Sequence, residues 1–182
     1  MKLVVGVEHF PFRSILQPLL GDVMINLGGS IATLTPDKAV KVFQHPNTKV
    51  SIAPVICYES IYGEFMGDYV KKGAGFFGII SNDSWWGNTQ GHKQLLSYAR
   101  LHAVSHRRAI ARSANSGISA LINQRGDILS SLAYGTKGSL KGDIQVNTER
   151  SFYSQYGDYI ARIASFVSVL FLLLGFFVKK RI

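Results

Sequence analysis

The amino-acid sequence predicts an α/β fold followed by one membrane-spanning helix at the C-terminus. Two observations predict the α/β fold: apolar segments of strand character alternate with segments of helical periodicity, and further strands then follow one another directly. The membrane helix is predicted because residues 163–178 carry no charged side chain. We therefore divide the 182 residues into a layered domain with a mixed sheet (1–150), a juxtamembrane linker (151–162), a transmembrane helix (163–178) and a cytoplasmic tail (179–182).

Strands are expected where short apolar runs end in turn residues, and helices where apolar residues recur with a period near 3.6. The helix that begins at Ser60 ends before Gly73, and Pro54 indicates an edge or a bulge in the strand before it. In chain order the predicted elements are strands at 3–7, 30–34, 39–44 and 50–56, a helix at 60–72, a strand at 76–81, a helix at 91–108, and strands at 110–114, 117–123, 128–132 and 139–146.

Composition argues against several classes of function. The net charge is +9, but lysines and arginines are scattered rather than arranged in a basic stripe with aromatics, so we expect no nucleic-acid partner. Five histidines and one cysteine show no metal-ligand spacing, and no glycine-rich phosphate loop is present, so we expect neither a metal nor a cofactor. His102 and His106 lie one helical turn apart, where we expect a solvated surface beside Arg107 and Arg108.

The predicted transmembrane helix has two further features. The cluster at 179–181 is basic, and basic flanks stay cytoplasmic, so the layered domain is expected on the opposite side of the membrane. Small residues fall on one face of the helix, which predicts packing against transmembrane helices that this chain does not contain. A lone anchor with small residues placed at random is the alternative. That face comprises Ala161, Ala164, Ser165, Ser168 and Gly175.

The single cysteine, Cys57, directly follows the predicted strand 50–56, and Tyr58, Glu59 and Ser60 then open a helix. Unpaired N–H groups at a helix N-terminus favour a thiolate, and a sharp strand-to-helix turn exposes the sulfur. This position predicts a nucleophile. The alternative is a small buried apolar residue, which is common for a lone cysteine.

A pair of tryptophans, Trp85 and Trp86, follows the next predicted strand. The pair is either a packing cap over the edge of the sheet or an aromatic wall beside the cysteine that suits an acyl chain.

Four motifs occur in order along the chain: Pro54-Val55-Ile56-Cys57-Tyr58-Glu59-Ser60, Ser81-Asn82-Asp83-Ser84-Trp85-Trp86-Gly87, Gly91-His92-Lys93-Gln94, and the segment from Arg107 to Ala120. These motifs resemble those of the apolipoprotein N-acyltransferases, which are membrane-anchored members of the nitrilase (carbon–nitrogen hydrolase) superfamily. The resemblance covers essentially the whole chain, includes the final hydrophobic helix, and extends to the segment Lys2–Glu8. It implies a partial nitrilase-like α-β-β-α sandwich, with 1–150 as the C-terminal portion of a carbon–nitrogen hydrolase domain.

The resemblance implies a Glu–Lys–Cys mechanism at the bacterial inner membrane, with the layered domain on the periplasmic side. Cys57 would take an acyl chain from a phospholipid as a thioester, and the amine of a diacylglyceryl-cysteine apolipoprotein would resolve it. Matched by motif, Glu8 is a second catalytic glutamate, while Tyr58 and Glu59 flank the nucleophile in the substrate site, beside Trp85 and Trp86. A cap or turn is the alternative role for Glu8, and a carboxylate stabilising the helix N-terminus is that for Glu59.

The match is incomplete. The family's general base and oxyanion-stabilising lysine belong before Leu3, and a glutamate frequent in the long helix is Ser105 here. We therefore expect a truncated acyltransferase with impaired activity. Two alternatives remain open: a nitrilase-type amidase that hydrolyses a C–N bond, and a non-catalytic membrane-anchored remnant.

Overall fold

The computed structural model describes residue 37 and residues 39–179. The predicted strands at 3–7 and 30–34, as well as Glu8, lie outside these residues. Within them, six strands form one mixed sheet in the order β1-β2-β3-β4-β5-β6, with parallel pairing of β2, β3 and β4 and antiparallel pairing elsewhere. The strands are β1 (Phe43–Gln44), β2 (Ser51–Ile56), β3 (Phe76–Asn82), β4 (Ile110–Asn115), β5 (Ser119–Ile122) and β6 (Ile128–Leu132).

Four α-helices are present among the described residues: the first two pack against the sheet, and the last extends away from the core and is exposed. They are α1 (Gly63–Lys71), α2 (Gln90–His106), α3 (Phe152–Tyr156) and α4 (Tyr159–Lys179). Two short 3₁₀ helices, Cys57–Ile61 and Asp83–Trp86, begin where β2 and β3 end. Because β2 and β3 are parallel neighbours, their carboxyl ends and both 3₁₀ helices lie at the same edge of the sheet.

One face of the sheet forms the core. Alternate residues of β2 and β3 are fully buried there, as the two-residue period of a strand requires, and α1 and α2 cover them. The opposite face is open at the carboxyl ends of the strands, where Ile56 is 48% and Ile80 is 66% exposed. The buried core includes Ala53, Val55, Phe77 and Ile79 of the strands and Met66, Val70, Ala99 and Ala103 of the helices.

The predicted α/β class with a mixed sheet and an apolar C-terminal helix is confirmed, but several boundaries are wrong. The predicted helix 60–72 is divided, because Tyr62 is extended between the first 3₁₀ helix and α1. The predicted strand 139–146 pairs with no strand among the described residues, and only the last two residues of 39–44 enter the sheet. The short helix α3 was not predicted.

Helix α4 follows α3 after only Gly157 and Asp158, and Gly157 has a φ of +66°. Glu64 of α1 braces this junction, since its carboxylate accepts a 2.9 Å hydrogen bond from the Asp158 backbone N–H and pairs with Arg162. Within the described residues, α4 is the one helix long and apolar enough to cross a membrane, and none of its span 159–176 is buried.

Candidate active site

Cys57 is the first residue of the first 3₁₀ helix and forms a turn directly after β2. Its φ of +48° lies in the left-handed region, which a side chain other than glycine enters at a cost of about 1–2 kcal/mol. Ser60 Oγ donates a 2.7 Å hydrogen bond to the Cys57 carbonyl and closes the turn. The cysteine is partly exposed. A strained turn that presents a nucleophile at the end of a strand is a known catalytic arrangement.

Glu59 lies beneath this turn rather than on its surface. The residue is only 3% exposed, and its Oε2 accepts a 2.9 Å hydrogen bond from the Ile56 N–H, on the other side of Cys57. Burial, and after it the charge of Glu59, raises the pKa of Tyr69 to about 12, and the Tyr69 hydroxyl donates to the Pro54 carbonyl at 2.9 Å. The Glu59 carboxylate therefore ties the first 3₁₀ helix back to the last residue of β2. Tyr58 stacks edge-on against Tyr62, with 5.7 Å between ring centroids.

A buried polar chain leads from the sulfur into the protein. Ser81 Oγ lies 3.5 Å from Cys57 Sγ and also donates to Asp83 Oδ1. Asp83 Oδ2 accepts a 2.6 Å hydrogen bond from Arg112 Nη2, and both side chains of this ion pair are completely buried. A buried carboxylate with two partners of this kind is a fixed acceptor.

Two backbone features hold the ion pair. Arg112 Nε donates to the Ile118 carbonyl at 3.2 Å, which fixes the guanidinium from its other side. The Cβ position of Gly117 falls on the Asp83 carboxylate, so only glycine leaves room for it.

The tryptophans lie in the second 3₁₀ helix, which begins directly after β3. Trp85 is 57% and Trp86 is 44% exposed, so neither is buried as a packing cap would be. The indole of Trp86 rests on the backbone of Gly91, where an added Cβ would lie 2.6 Å from the ring. The Asn82 side chain caps this 3₁₀ helix by accepting from the Ser84 N–H at 3.3 Å.

The structure thus places Cys57, Tyr58 and Glu59 in one 3₁₀ helix and both tryptophans in the next. Ser81, near the end of β3, contacts Cys57 and lies two residues before the second 3₁₀ helix. Glu8 lies outside the described residues, and its role stays a prediction.

Sequence reasoning did not single out Ser81, Asp83 and Arg112. The signal was present: an arginine interrupts the apolar strand β4, and an aspartate follows the neighbouring strand β3 directly. A charge inside a buried strand requires a partner, and the nearest carboxylate on an adjacent strand end is the obvious one.

The expectation of a solvated surface at His102 and His106 is wrong. Both residues lie on the inner face of α2, at the same three- and four-residue spacing as the buried Leu95, Ala99 and Ala103. Burial lowers the pKa of His106 to about 3 and lowers that of His102. No group of three or more His, Cys, Asp or Glu that could hold a metal occurs among the described residues.

A separate recess of about 460 Å³ opens beside the start of α1 and the junction with α4. Its lining includes Glu64, Asp68, Tyr153 and Asp158 but not Cys57. The recess is therefore not the cleft of the nucleophile.

Comparison with known proteins places the chain in a family. The family model "Carbon-nitrogen hydrolase" matches residues 7–153. Curated relatives include the apolipoprotein N-acyltransferases of Chlorobaculum tepidum, 29% identical over 90% of this chain and 31% of that protein, and of Wigglesworthia glossinidia brevipalpis, 29% identical over 100% of this chain and 35% of that protein. The chain spans about a third of the length of these relatives.

Solved structures of similar fold include an amidase from Nesterenkonia sp. AN1 with acrylamide added at its active-site cysteine. It is 16% identical, with a TM-score of 0.49 over 73% of this chain and 51% of the amidase. A carbon-nitrogen hydrolase from Helicobacter pylori G27 is 14% identical, with a TM-score of 0.48 over 56% of this chain and 42% of that one. Since the family model matches more than half of the sequence, the chain belongs to the carbon-nitrogen hydrolase family.

Proposed function

We propose that the protein transfers an acyl chain from a phospholipid to the N-terminal amine of a diacylglyceryl-cysteine apolipoprotein, with Cys57 as the nucleophile. The observation that supports this most directly is the Cys57 turn: the only sulfur nucleophile of the chain is partly exposed, has a left-handed backbone, and ends a strand whose parallel neighbour leads into two exposed indoles. The names of the curated relatives point to the same reaction.

The proposed reaction has two steps at one sulfur. The Cys57 thiolate attacks the carbonyl of the acyl ester, the C–O bond breaks, and the lysophospholipid leaves as an alcohol after taking up a proton. The amine of the acceptor then attacks the thioester, the C–S bond breaks, and the thiolate returns as an amide forms. The resemblance assigns Glu8 to the catalytic site, where a carboxylate can accept the proton that the amine loses.

The neighbouring side chains suit this chemistry. Trp85 and Trp86 offer apolar surface at the edge of the sheet that carries the nucleophile, and we assign them to the acyl chain. Tyr58 and Glu59 flank the sulfur, and we assign them to the substrate site, where the buried Glu59 carboxylate also braces the turn. No cofactor enters either step.

The proposed setting is the bacterial inner membrane. Helix α4 would span the bilayer, with the sheet domain on the periplasmic side and the C-terminus in the cytoplasm. Its face of small residues would pack against other transmembrane helices.

An acyl-enzyme assay tests the proposal. The full chain in detergent micelles is incubated with phospholipid, digested, and analysed by mass spectrometry for an acyl group on Cys57. We expect an adduct that hydroxylamine removes, and none in Cys57→Ala. Adduct formation does not require turnover, so the assay also detects a slow enzyme.

The same assay separates the alternatives. An amidase would release ammonia from small amides and form no adduct from phospholipid, whereas a non-catalytic remnant would do neither. Either result would reject the acyl-transfer proposal.

A further inference from the structure

The contact between Ser81 and Cys57 poses a question about one proton. A serine hydroxyl has a single hydrogen to donate and two lone pairs that accept. Ser81 Oγ faces two acceptors, the Cys57 sulfur at 3.5 Å and the Asp83 carboxylate. The hydroxyl can donate to only one of them at a time.

Asp83 is the stronger acceptor of the two. Its other oxygen is held at 2.6 Å by Arg112, and the pair is completely buried, so the carboxylate can neither turn away nor find water. A neutral thiol sulfur is only a weak acceptor. The Ser81 proton therefore points to Asp83, and a lone pair of Ser81 Oγ faces the sulfur.

We propose that Ser81, oriented by the buried pair Asp83–Arg112, is a positioning residue that holds Cys57 as a thiol in the resting protein. The thiol S–H donates to Ser81 Oγ, which fixes the sulfur on the side of the turn nearest β3. Ionisation of Cys57 then brings a negative sulfur against a lone pair, unless Ser81 withdraws its proton from Asp83. This role rests on the proposed function of Cys57 as nucleophile.

Alkylation of the single cysteine tests the proposal in the full chain without any acyl transfer. Iodoacetamide reacts with the thiolate, so its rate across pH reports the ionisation of Cys57 alone. In Ser81→Ala the thiol loses its acceptor, and we expect alkylation at pH 7 to be about threefold to tenfold faster, with the rate profile moved to lower pH. Ser81→Thr, which keeps the hydroxyl, should restore the original profile.

Two further measurements complete the design. Ser84→Ala is the matched control, because the Ser84 hydroxyl, three residues after Ser81, donates to Asn82 Oδ1 at 2.6 Å and not to Cys57 or Asp83. Its profile should equal that of the unchanged protein. The infrared S–H stretch of the one thiol should move to higher frequency in Ser81→Ala, as a hydrogen bond from sulfur is lost.

Unchanged or slower alkylation in Ser81→Ala, with an unmoved S–H band, would overturn the proposal, because Ser81 would then donate to the sulfur or not bind it. If Ser81→Ala fails to fold, the S–H band of Ser81→Thr is compared with that of the unchanged protein. An equal frequency supports the proposal, and a different frequency overturns it. Neither readout depends on phospholipid, so the positioning role can fail while acyl transfer stands, and the reverse.

Discussion

At the scale of single residues, Cys57 has a left-handed backbone conformation that is energetically unfavourable for a residue with a side chain. A left-handed backbone disfavours every residue with a Cβ, while glycine enters it freely. Neighbouring bonds hold the turn in place, from Ser60 to the Cys57 carbonyl and from the Ile56 N–H to Glu59. The strain thus persists where the proposed chemistry needs an exposed sulfur.

This cost can be measured by comparing two variants that both lack the sulfur. We expect Cys57→Gly to have a free energy of unfolding about 0.5–1 kcal/mol higher than Cys57→Ala, since glycine relieves the left-handed strain but gains entropy in the unfolded chain. Urea denaturation in micelles gives both values. Equal stabilities, or a more stable alanine variant, would show that the turn relaxes without its sulfur.

Gly117 is the second residue with a defined steric role. In Gly117→Ala the new methyl group overlaps the Asp83 carboxylate and displaces it from Arg112. We expect a loss of about 3 kcal/mol or more, from overpacking and from a buried ion pair pulled apart. Gly175→Ala is the control, because no described residue outside the adjacent helix backbone lies within 4 Å of that Cβ position, and alanine inside α4 should raise stability by no more than about 1 kcal/mol. A loss below 1 kcal/mol in thermal unfolding would contradict the packing described around Asp83.

At the scale of elements, α2 places two histidines in the interior, with His102 5% and His106 0% exposed. The His106 ring contacts Phe77 and Tyr153, with centroids 5.8 and 5.3 Å away, and its Nδ1 lies 2.8 Å from Ser154 Oγ. Burial, the adjacent His102, and the cations Arg108 and Lys71 all lower the pKa of His106, while a backbone hydrogen bond at Gly63 opposes them.

These histidines predict acid sensitivity. The unfolded chain binds a proton at His106 near pH 6.5, whereas the folded chain resists it down to about pH 3, so stability falls as the pH drops from 6.5. The slope should approach 1.4 kcal/mol per pH unit for this one group. His106→Asn should reduce the slope of unfolding free energy between pH 6.5 and 5, whereas His45→Gln, at an exposed site, should not. Parallel slopes for all three proteins would refute this assignment.

The elements also show what the sequence could and could not predict. Strands β2 and β3 could be predicted because each is a short, mostly apolar run that ends in polar or turn residues. Their order along the chain indicated that Cys57 and the tryptophans follow neighbouring strands and so lie at one edge of the sheet. The break at Tyr62 could not be predicted, because the helical pattern in the sequence continues through it. The break arises from the turn at Cys57, which the hydrogen bond from Ser60 Oγ to the Cys57 carbonyl holds closed. Ion pairing of Arg112 with Asp83 depends on strand register, which periodicity alone does not give.

At the scale of the whole molecule, the sheet domain and α4 are joined by a short connection. Only Gly157 and Asp158 separate α3 from α4, and Glu64 of α1 binds both Asp158 and Arg162. The bond from the Asp158 N–H is the main reason why the pKa of Glu64 is lowered. These contacts join the first turn of α4 to α1.

The proposed topology gives a labelling prediction. In spheroplasts of a bacterial host, a membrane-impermeant maleimide should label Cys57, which is partly exposed and proposed to be periplasmic. The control is Cys57→Ala combined with Arg181→Cys, which should react only after permeabilisation. If the maleimide labels the control in intact spheroplasts and fails to label Cys57, the proposed orientation is wrong and the sheet domain faces the cytoplasm.

The hydrogen bonds of Arg108 have a consequence for the order in which the chain can fold during synthesis. Its buried guanidinium donates to the carbonyls of Ala74 and Glu149, both at 2.7 Å, as well as to those at the end of α2, and thereby joins segments that are made far apart in time. Until Glu149 has been translated, this cation has part of its carbonyl cage missing. Completion of the cage around Arg108 therefore requires a segment that is translated after all six described strands of the sheet and before α4.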